Sequence, residues 1–420
     1  MSSTMTAPPA CIHLKPCPFM PLRTSLFLAF LSTSASALTL DLSAIGERVR
    51  QQHPSLKAAR MVVEEARGRQ LGAGRLSNPT LETSFQNESR VSPRSTVFSL
   101  DQAFPVTKRL SLEKKLSAQL VQAAELEVKD VERLYIAEAK TLAVKLLALD
   151  QHLVLHRQQM ELARKLSTFA KERAAAGEVS ALDAAQAQVD LQRLLLETRK
   201  MEAETLGLRG ALKPMLGIAT KDSLALTGNL TATRLPESTA WQKRPDYQLA
   251  QTRTEAAQTE AELAKAKRWQ DMSAGFFAAR EQQDVTPRNT ERTGFVGFRF
   301  SIPLPLWNRN QGEIAEKAAS AERARLEKDA LASQITSEAD TARREMEANA
   351  ALLRETRDQF LPLVLEQTHK LEKAYEAGQT DLLTVLRARD QRLELESGAL
   401  DAARDFHLAR IRYEAAVGKP

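Results

Sequence analysis

Cysteine is almost missing from this 420-residue chain; the two present are Cys11 and Cys17. From residue 18 onward neither a disulfide framework nor a thiolate metal site is possible. Aromatics make up 5% and there are 16 glycines. That argues against ordinary compact domains, although the length would allow roughly two or three. The net charge of +6 is spread with both signs interspersed, as on solvated helix faces. No basic block carries interleaved aromatics, so nucleic acid is not an expected partner. No segment approaches an 18-residue apolar run, which excludes a spanning helix. An exported chain of this kind crosses a membrane only as β-strands. Catalytic signals are also lacking: there is no Walker motif and no His-Glu-x-x-His. The stretch "GAGRLS" at 72–77 resembles a nucleotide-binding glycine turn, but it closes a helix and no strand precedes it. No enzyme, cofactor or resident metal is expected.

What is abundant is Ala, Leu, Glu, Lys, Arg and Gln in long tracts, the composition of long helices or coiled coil. The N-terminus reads as a secretory signal peptide over 1–37. Lys15 and Arg23 precede the apolar run Ser25 to Leu31, then Ala35-Ser36-Ala37 forms a small-x-small cleavage site. Cleavage after Ala37 removes both cysteines.

The rest is one unit written twice. "HPSLKAAR" (53–60) and "RPDYQLAQ" (244–251) each set proline at a helix start. The first repeat spans 38–217: a helix over 54–77, a β-hairpin over 80–104, a long helix over 108–176 and a return helix over 180–216. The second spans 244–420: a helix to about 270, a hairpin over 271–302, a long helix over 310–377 and a return helix over 381–417. Between them 218–243 reads as an equatorial linker of unassigned structure. Gly177 and Gly378, then Gly217 and Gly418, are each 201 residues apart, so the return helices align without a gap. Ala139, Leu142, Leu146, Leu149 and Leu153 step by 3 and 4, a coiled-coil seam. Ser180 and Asp381 suit N-caps three places after the glycines, and each glycine suits a left-handed helix end.

The strands alternate instead. Val296, Phe298, Phe300 and Ile302 share one face; Phe295, Gly297, Arg299 and Ser301 share the other. Phe98, Leu100 and Phe104 share a face with the polar Gln102. Such alternation fits a transmembrane barrel strand or a half-buried soluble hairpin. Length separates the two: a helix of 68 residues is about 100 Å long, beyond any single globular core. Two shorter helices stack end to end beside each long one, which sets all four strands at one end and both glycine tips at the other. Four strands cannot close a barrel, whereas three copies supply twelve. The fold class expected is therefore mostly α with a small β part, helical hairpins forming a tunnel and four strands per chain entering a trimeric twelve-stranded barrel. In "SIPLPLWNRNQG" (301–312), Pro303 and Pro305 turn a strand into a helix, as Pro105 does in the first repeat. Trp307 and Trp269 sit at such corners, where a membrane-interface belt and ordinary packing both remain open.

"SIPLPLWNRNQGEIAEKA", "ERAAAGEVSALDAAQAQ" and "AYEAGQTDLLTVLRARD" carry a resemblance to the TolC-like outer-membrane efflux factors. The first looks most like the branch serving heavy-metal (cobalt-zinc-cadmium or copper) pumps. The resemblance implies a homotrimer in the bacterial outer membrane, its helical part in the periplasm and its strands in contact with lipid. Phe98, Leu100, Val296, Phe298 and Phe300 would then face the lipid. Implied partners are a periplasmic adaptor (membrane fusion protein) and an inner-membrane resistance-nodulation-division pump. At the tips, Gly177, Val179, Ser180, Leu182, Gly378, Thr380, Asp381, Leu382 and Leu383 are the expected adaptor contacts. Glycine and N-cap chemistry explain most of them, but leucines near exposed hairpin ends call for cover. Some members carry acidic residues ringing the closed tip at the positions of Thr384 and Arg387. Neither is acidic here, and Asp381 is the nearest carboxylate for a gate. Many metal-branch members also carry a lipid on their first cysteine, which a chain cleaved after Ala37 lacks.

His152 and His156 stand four apart on the long helix, a spacing able to bind metal; a solvated helix surface is the expectation. The function expected is a passive exit duct for metal cations. Alternatives are a duct for drugs or secreted material, or a periplasmic coiled-coil scaffold.

Overall fold

The computed structural model describes residues 38–86, 94–236, 241–286 and 289–419. The expected signal peptide, 1–37, lies outside the described residues. The longest element, α3 (Arg109–Ala175), holds 67 residues without one glycine or proline, so nothing interrupts its backbone ladder over about 100 Å. Beside it lie α2 (Pro54–Gly72) and α4 (Ala181–Met215). The second set consists of α5 (Pro245–Ala266), α6 (Gln311–Glu355), α7 (Leu361–Glu376) and α8 (Leu382–Ala416). The shared core is alanine-rich: Ala139, Ala143, Ala148, Ala163 and Ala170 on α3, and Ala402, Ala403 and Ala409 on α8, are all buried. Small side chains let the helix axes approach closely. Phe406, fully buried among Ala342, Met346 and Ala350, is the bulkiest insert; truncating it to alanine costs about 3–5 kcal/mol.

The second long helix runs through 311–376, much as expected over 310–377, but with one irregular turn inside it. A π-turn, Thr356–Phe360, separates α6 from α7. The reason lies in the stripe facing the core. Met346, Ala350, Leu353 and Thr356 are buried at steps of 4 and 3, and Leu361, Val364, Thr368, Leu371 and Tyr375 continue it at 3, 4, 3 and 4. The step from Thr356 to Leu361 is five. The wide turn absorbs the surplus residue and leaves Phe360 exposed.

The described part of the linker, 218–236 and 241–243, holds structure as well. Its β4 (Leu224–Thr227) pairs in parallel with β1 (Leu38–Asp41). With α1 (Ile45–Gln52) they cover the middle of α3 through Ile45, Val49, Ile136, Leu212, Leu216 and Leu224. Beyond β4, Leu230 is fully buried against Val144, Leu147 and Leu353, and its carbonyl accepts from His407 Nε2 at 3.1 Å. The return helices end alike. Ile218 N donates to Lys213 O and Lys419 N to Glu414 O, with Gly217 and Gly418 at positive φ. A Cβ on Gly217 would meet Gln52, just before α2; one on Gly418 would meet Arg244, just before α5. Arg48 donates to Leu216 O, Arg133 to Ala415 O and Arg244 to Ala416 O, placing cations on the carbonyl ends of α4 and α8.

The helix expected over 54–77 stops at Gly72. Gly74 has φ 62°, and a Cβ there would stand 2.3 Å from Leu110 O. The helix after Pro245 likewise stops at Ala266, short of 270.

Candidate functional site: sheet, corner and hairpin tips

The strands β2 (Thr80–Gln86), β3 (Arg94–Phe104), β5 (Met272–Thr286) and β6 (Asn289–Ser301) form one antiparallel sheet in the order β2-β3-β5-β6. Register sets its two faces. Leu100 pairs with Leu81 and Phe276, and Phe276 with Phe298; Phe98 pairs with Ala278, and Ala278 with Val296. These residues, with Phe85, Phe104 and Phe300, make one face apolar, and it is exposed: Phe298 is 77% accessible. The opposite face carries Glu82, Ser84, Ser99, Asp101, Ser273, Glu281, Thr293, Arg299 and Ser301. Phe277 and Phe295 interrupt it. There the Phe277 ring lies over Gly297, where a Cβ would stand 2.7 Å from the ring, and the Arg299 guanidinium is 5.7 Å from the ring centre. Among the described residues β2 and β6 each lack a partner on their outer side. An apolar sheet face with two open edges is not stable in water.

At the corner Asn310 adopts φ 59°, a left-handed conformation asparagine tolerates. Its Nδ2 donates to Ala264 O and Glu313 Oε2, and its backbone N donates to Asn308 Oδ1. Pro105, Pro303 and Pro305 are half-buried, while Leu304, Leu306 and Trp307 are exposed, Trp307 at 88%. Trp269 is exposed at the neighbouring α5–β5 corner.

The tips are two copies of one turn. Gly177 and Gly378 take φ 78° and 72°. Glu178 N donates to Arg173 O, and Gln379 N to Ala374 O, the double-bonded helix end that needs glycine. Ser180 Oγ then accepts from Leu182 N, and Asp381 Oδ1 from Thr384 N at 2.7 Å. That Thr384 N–H holds the Asp381 carboxyl below its ordinary value, so Asp381 is a helix cap before it is anything else. Thr384 is half-buried and Arg387 exposed. The tips lie side by side. Phe169 meets Tyr375 edge-on at 5.9 Å, and Arg173 stacks on Phe169 while donating to Glu376 O. Burial raises the Tyr375 hydroxyl.

Two expectations fail here. Leu382 is not at an exposed end: it is 2% accessible, packed with Leu166, Ala170, Ala187 and Tyr375, and only Leu182 and Leu383 remain open at the tips. His152 and His156 are not on a solvated surface but buried between α3, α4 and α8. His152 Nε2 lies 3.3 Å from Asp401, and His156 Nδ1 3.9 Å from Glu197. Burial holds His156 below its ordinary value. Among the described residues no three His, Cys, Asp or Glu side chains group to hold a metal.

One surface was overlooked. Leu182, Ala185, Val189, Gln192, Leu196, Arg199, Ala203 and Leu206 on α4 step by 3 and 4 and are all exposed. Among the described residues nothing covers this coiled-coil seam, and its heptad spacing is present in the sequence.

This architecture is the fold of the TolC-like outer-membrane efflux factors, and the resemblance carried by the corner and tip motifs extends over the whole described chain. A solved CusC structure matches with a TM-score of 0.76 at 17% identity, covering 98% of this chain and 99% of that one. The outer-membrane protein VceC of Vibrio cholerae matches with 0.71 at 18%, covering 90% and 96%. In sequence, the cobalt-zinc-cadmium resistance protein CzcC of Cupriavidus metallidurans is 24% identical over 409 residues, 94% of this chain and 90% of that protein. No protein-family model matches the chain.

Proposed function

We propose that the chain is the outer-membrane exit duct of a tripartite efflux pump, passively conducting heavy-metal cations out of the cell. The observation that carries this is the open four-stranded sheet whose exposed apolar face rides on helices about 100 Å long. Three copies close twelve strands into a barrel, and the exposed α4 seam above Leu182 is then covered by the next copy. The polar face becomes the lumen wall, with Glu82, Asp101, Glu281 and Glu291 against Arg299, a balance that favours cations. Likeness to a cobalt-zinc-cadmium resistance protein points the same way. The implied partners are a periplasmic adaptor at the tips, through Leu182 and Leu383, and a resistance-nodulation-division pump in the inner membrane. Energy comes from that pump, since a wide water-filled duct passes hydrated ions without binding them tightly.

The test is export in a deletion strain. Restoring the chain should restore tolerance to divalent metals. Leu383→Asp and Gly378→Pro should abolish tolerance while a detergent-requiring, heat-sensitive trimer stays in the outer-membrane fraction. A soluble periplasmic monomer would refute the duct.

A further inference from the structure

The sign of charge on the sheet follows its face. Among residues with described side chains, the phenylalanine face carries Arg94, Arg280 and Arg292 as its only charges, while the opposite face carries four carboxylates and Arg299. Arg280 and Glu281 are neighbours on β5, and Glu291 and Arg292 on β6, so sign switches as side-chain direction switches. The three arginines are clustered. Arg94 and Arg292 both pair with Gln282, one from each side, which sets them about 10 Å apart across three strands. Arg280, one row nearer the helices, pairs with Thr96 and Gly294, and Thr96 pairs in turn with the exposed Phe85. All three arginines are exposed.

Their height matters. Arg280 is eight residues from Met272, where β5 begins, or about 27 Å along the strand. Between them the same face is occupied by Phe98, Leu100, Phe276, Ala278, Val296 and Phe298. A lipid-facing guanidinium is costly at mid-bilayer and nearly free where the apolar band ends, and that is where these three stand. A planar fork of donors matches phosphate oxygens two at a time.

We infer that Arg94, Arg280 and Arg292 form a docking patch for the phosphate groups of lipids in the outer leaflet, with acyl chains lying on the phenylalanine columns below. This rests on the barrel reading above. The occupant follows from charge complementarity and from the position of the patch at the rim of the apolar band. The patch anchors the barrel vertically and selects phosphorylated lipid as its neighbour.

The test uses the purified full-length trimer in non-ionic detergent, with bound lipid counted by native mass spectrometry. Three probes are titrated: a bisphosphorylated diglucosamine lipid, the same lipid with its phosphates removed, and inorganic phosphate. The wild type should prefer the phosphorylated lipid by about tenfold. Combined Arg94→Gln, Arg280→Gln and Arg292→Gln should abolish the preference, and Arg→Lys at the same positions should restore part of it. If the triple variant fails to assemble, Arg94→Gln and Arg292→Gln singly should each reduce the preference, by about threefold. Equal affinity for both lipids, or a preference untouched by the substitutions, overturns the inference and leaves the duct intact. Inorganic phosphate binding as tightly as the lipid also overturns it, by making the patch a free-anion site. A chain that dissolves without detergent removes the duct reading, and this inference with it.

Discussion

From α2 and from α5 onward the two halves run alike, helix, two strands, long helix and return helix, and they differ most at the return helix. In the second half α8 is wedged against α3, α6 and α7, and Leu382, Val385, Leu386, Ala402 and Phe406 are buried. In the first half α4 rests chiefly on α3, and its other side shows solvent a complete heptad seam. The two return helices thus follow a similar backbone course in different surroundings. One copy closes the subunit, and the other is left as an edge, parallel in kind to the open β2 and β6 edges of the sheet. The lesson is that equivalent positions in a repeat are equivalent in conformation only; their exposure depends on what lies next door.

The sharpest way to break this comparison is to put a carboxylate on a covered leucine of one tip and on an open leucine of the other. Leu382→Asp buries an uncompensated charge and should cost about 3–5 kcal/mol. Leu182→Asp, at 75% accessibility, should stay within about 0.5 kcal/mol. Denaturant unfolding in detergent reads both, and equal losses would erase the distinction. Next comes Val189→Asp with Leu196→Asp on α4. The subunit should keep its helicity, while cross-linking shows the trimer gone. Smaller and symmetric effects are expected at the turns. Gly177→Ala and Gly378→Ala each force a side chain into left-handed backbone, costing about 1–2 kcal/mol, and neither new Cβ meets a neighbour. A clear inequality between the two would mean that one tip is held by more than its turn.

The smallest effect is pH dependence. Burial holds the imidazoles of His156, in the first half, and His407, in the second, below their ordinary value of 6.5. The unfolded chain therefore takes up protons that the folded one resists. Stability is full above about pH 6.5 and falls as pH drops through the lowered folded values. Heat-dissociation midpoints between pH 7.5 and 5.5 should show the decline, and His407→Gln, which keeps a donor toward Leu230 O, should flatten part of it.

Much of this could be read from the residues alone, because the signals were local. Alternation in Val296, Phe298 and Phe300, the glycine at each tip and the proline at each corner are properties of a few neighbouring residues. What escaped depends on distant partners. Nothing near Leu38–Asp41 announces a parallel partner at Leu224–Thr227. His152 and His156 look like surface residues on an isolated helix, and became interior only because α3 is covered by both α4 and α8. Leu382 was misjudged for the same reason. The π-turn was legible in principle, from a five-residue step in the apolar stripe and from Pro362 just beyond it, which has no N–H for an α-helical ladder. The sidedness of the strand charges needed the register before Arg94, Arg280 and Arg292, on three different strands, could be assigned to one face.

The surplus residue at Thr356–Phe360 has an arithmetic consequence. Deleting Phe360 would shorten the stride from Thr356 to the following leucine from five to four, one ordinary turn, without moving any member of the stripe off the core. The two helices would then meet in ordinary α-helical register, but Pro362 would be left inside them with no N–H to give, so the fused rod would still lack one backbone bond that α3 has everywhere.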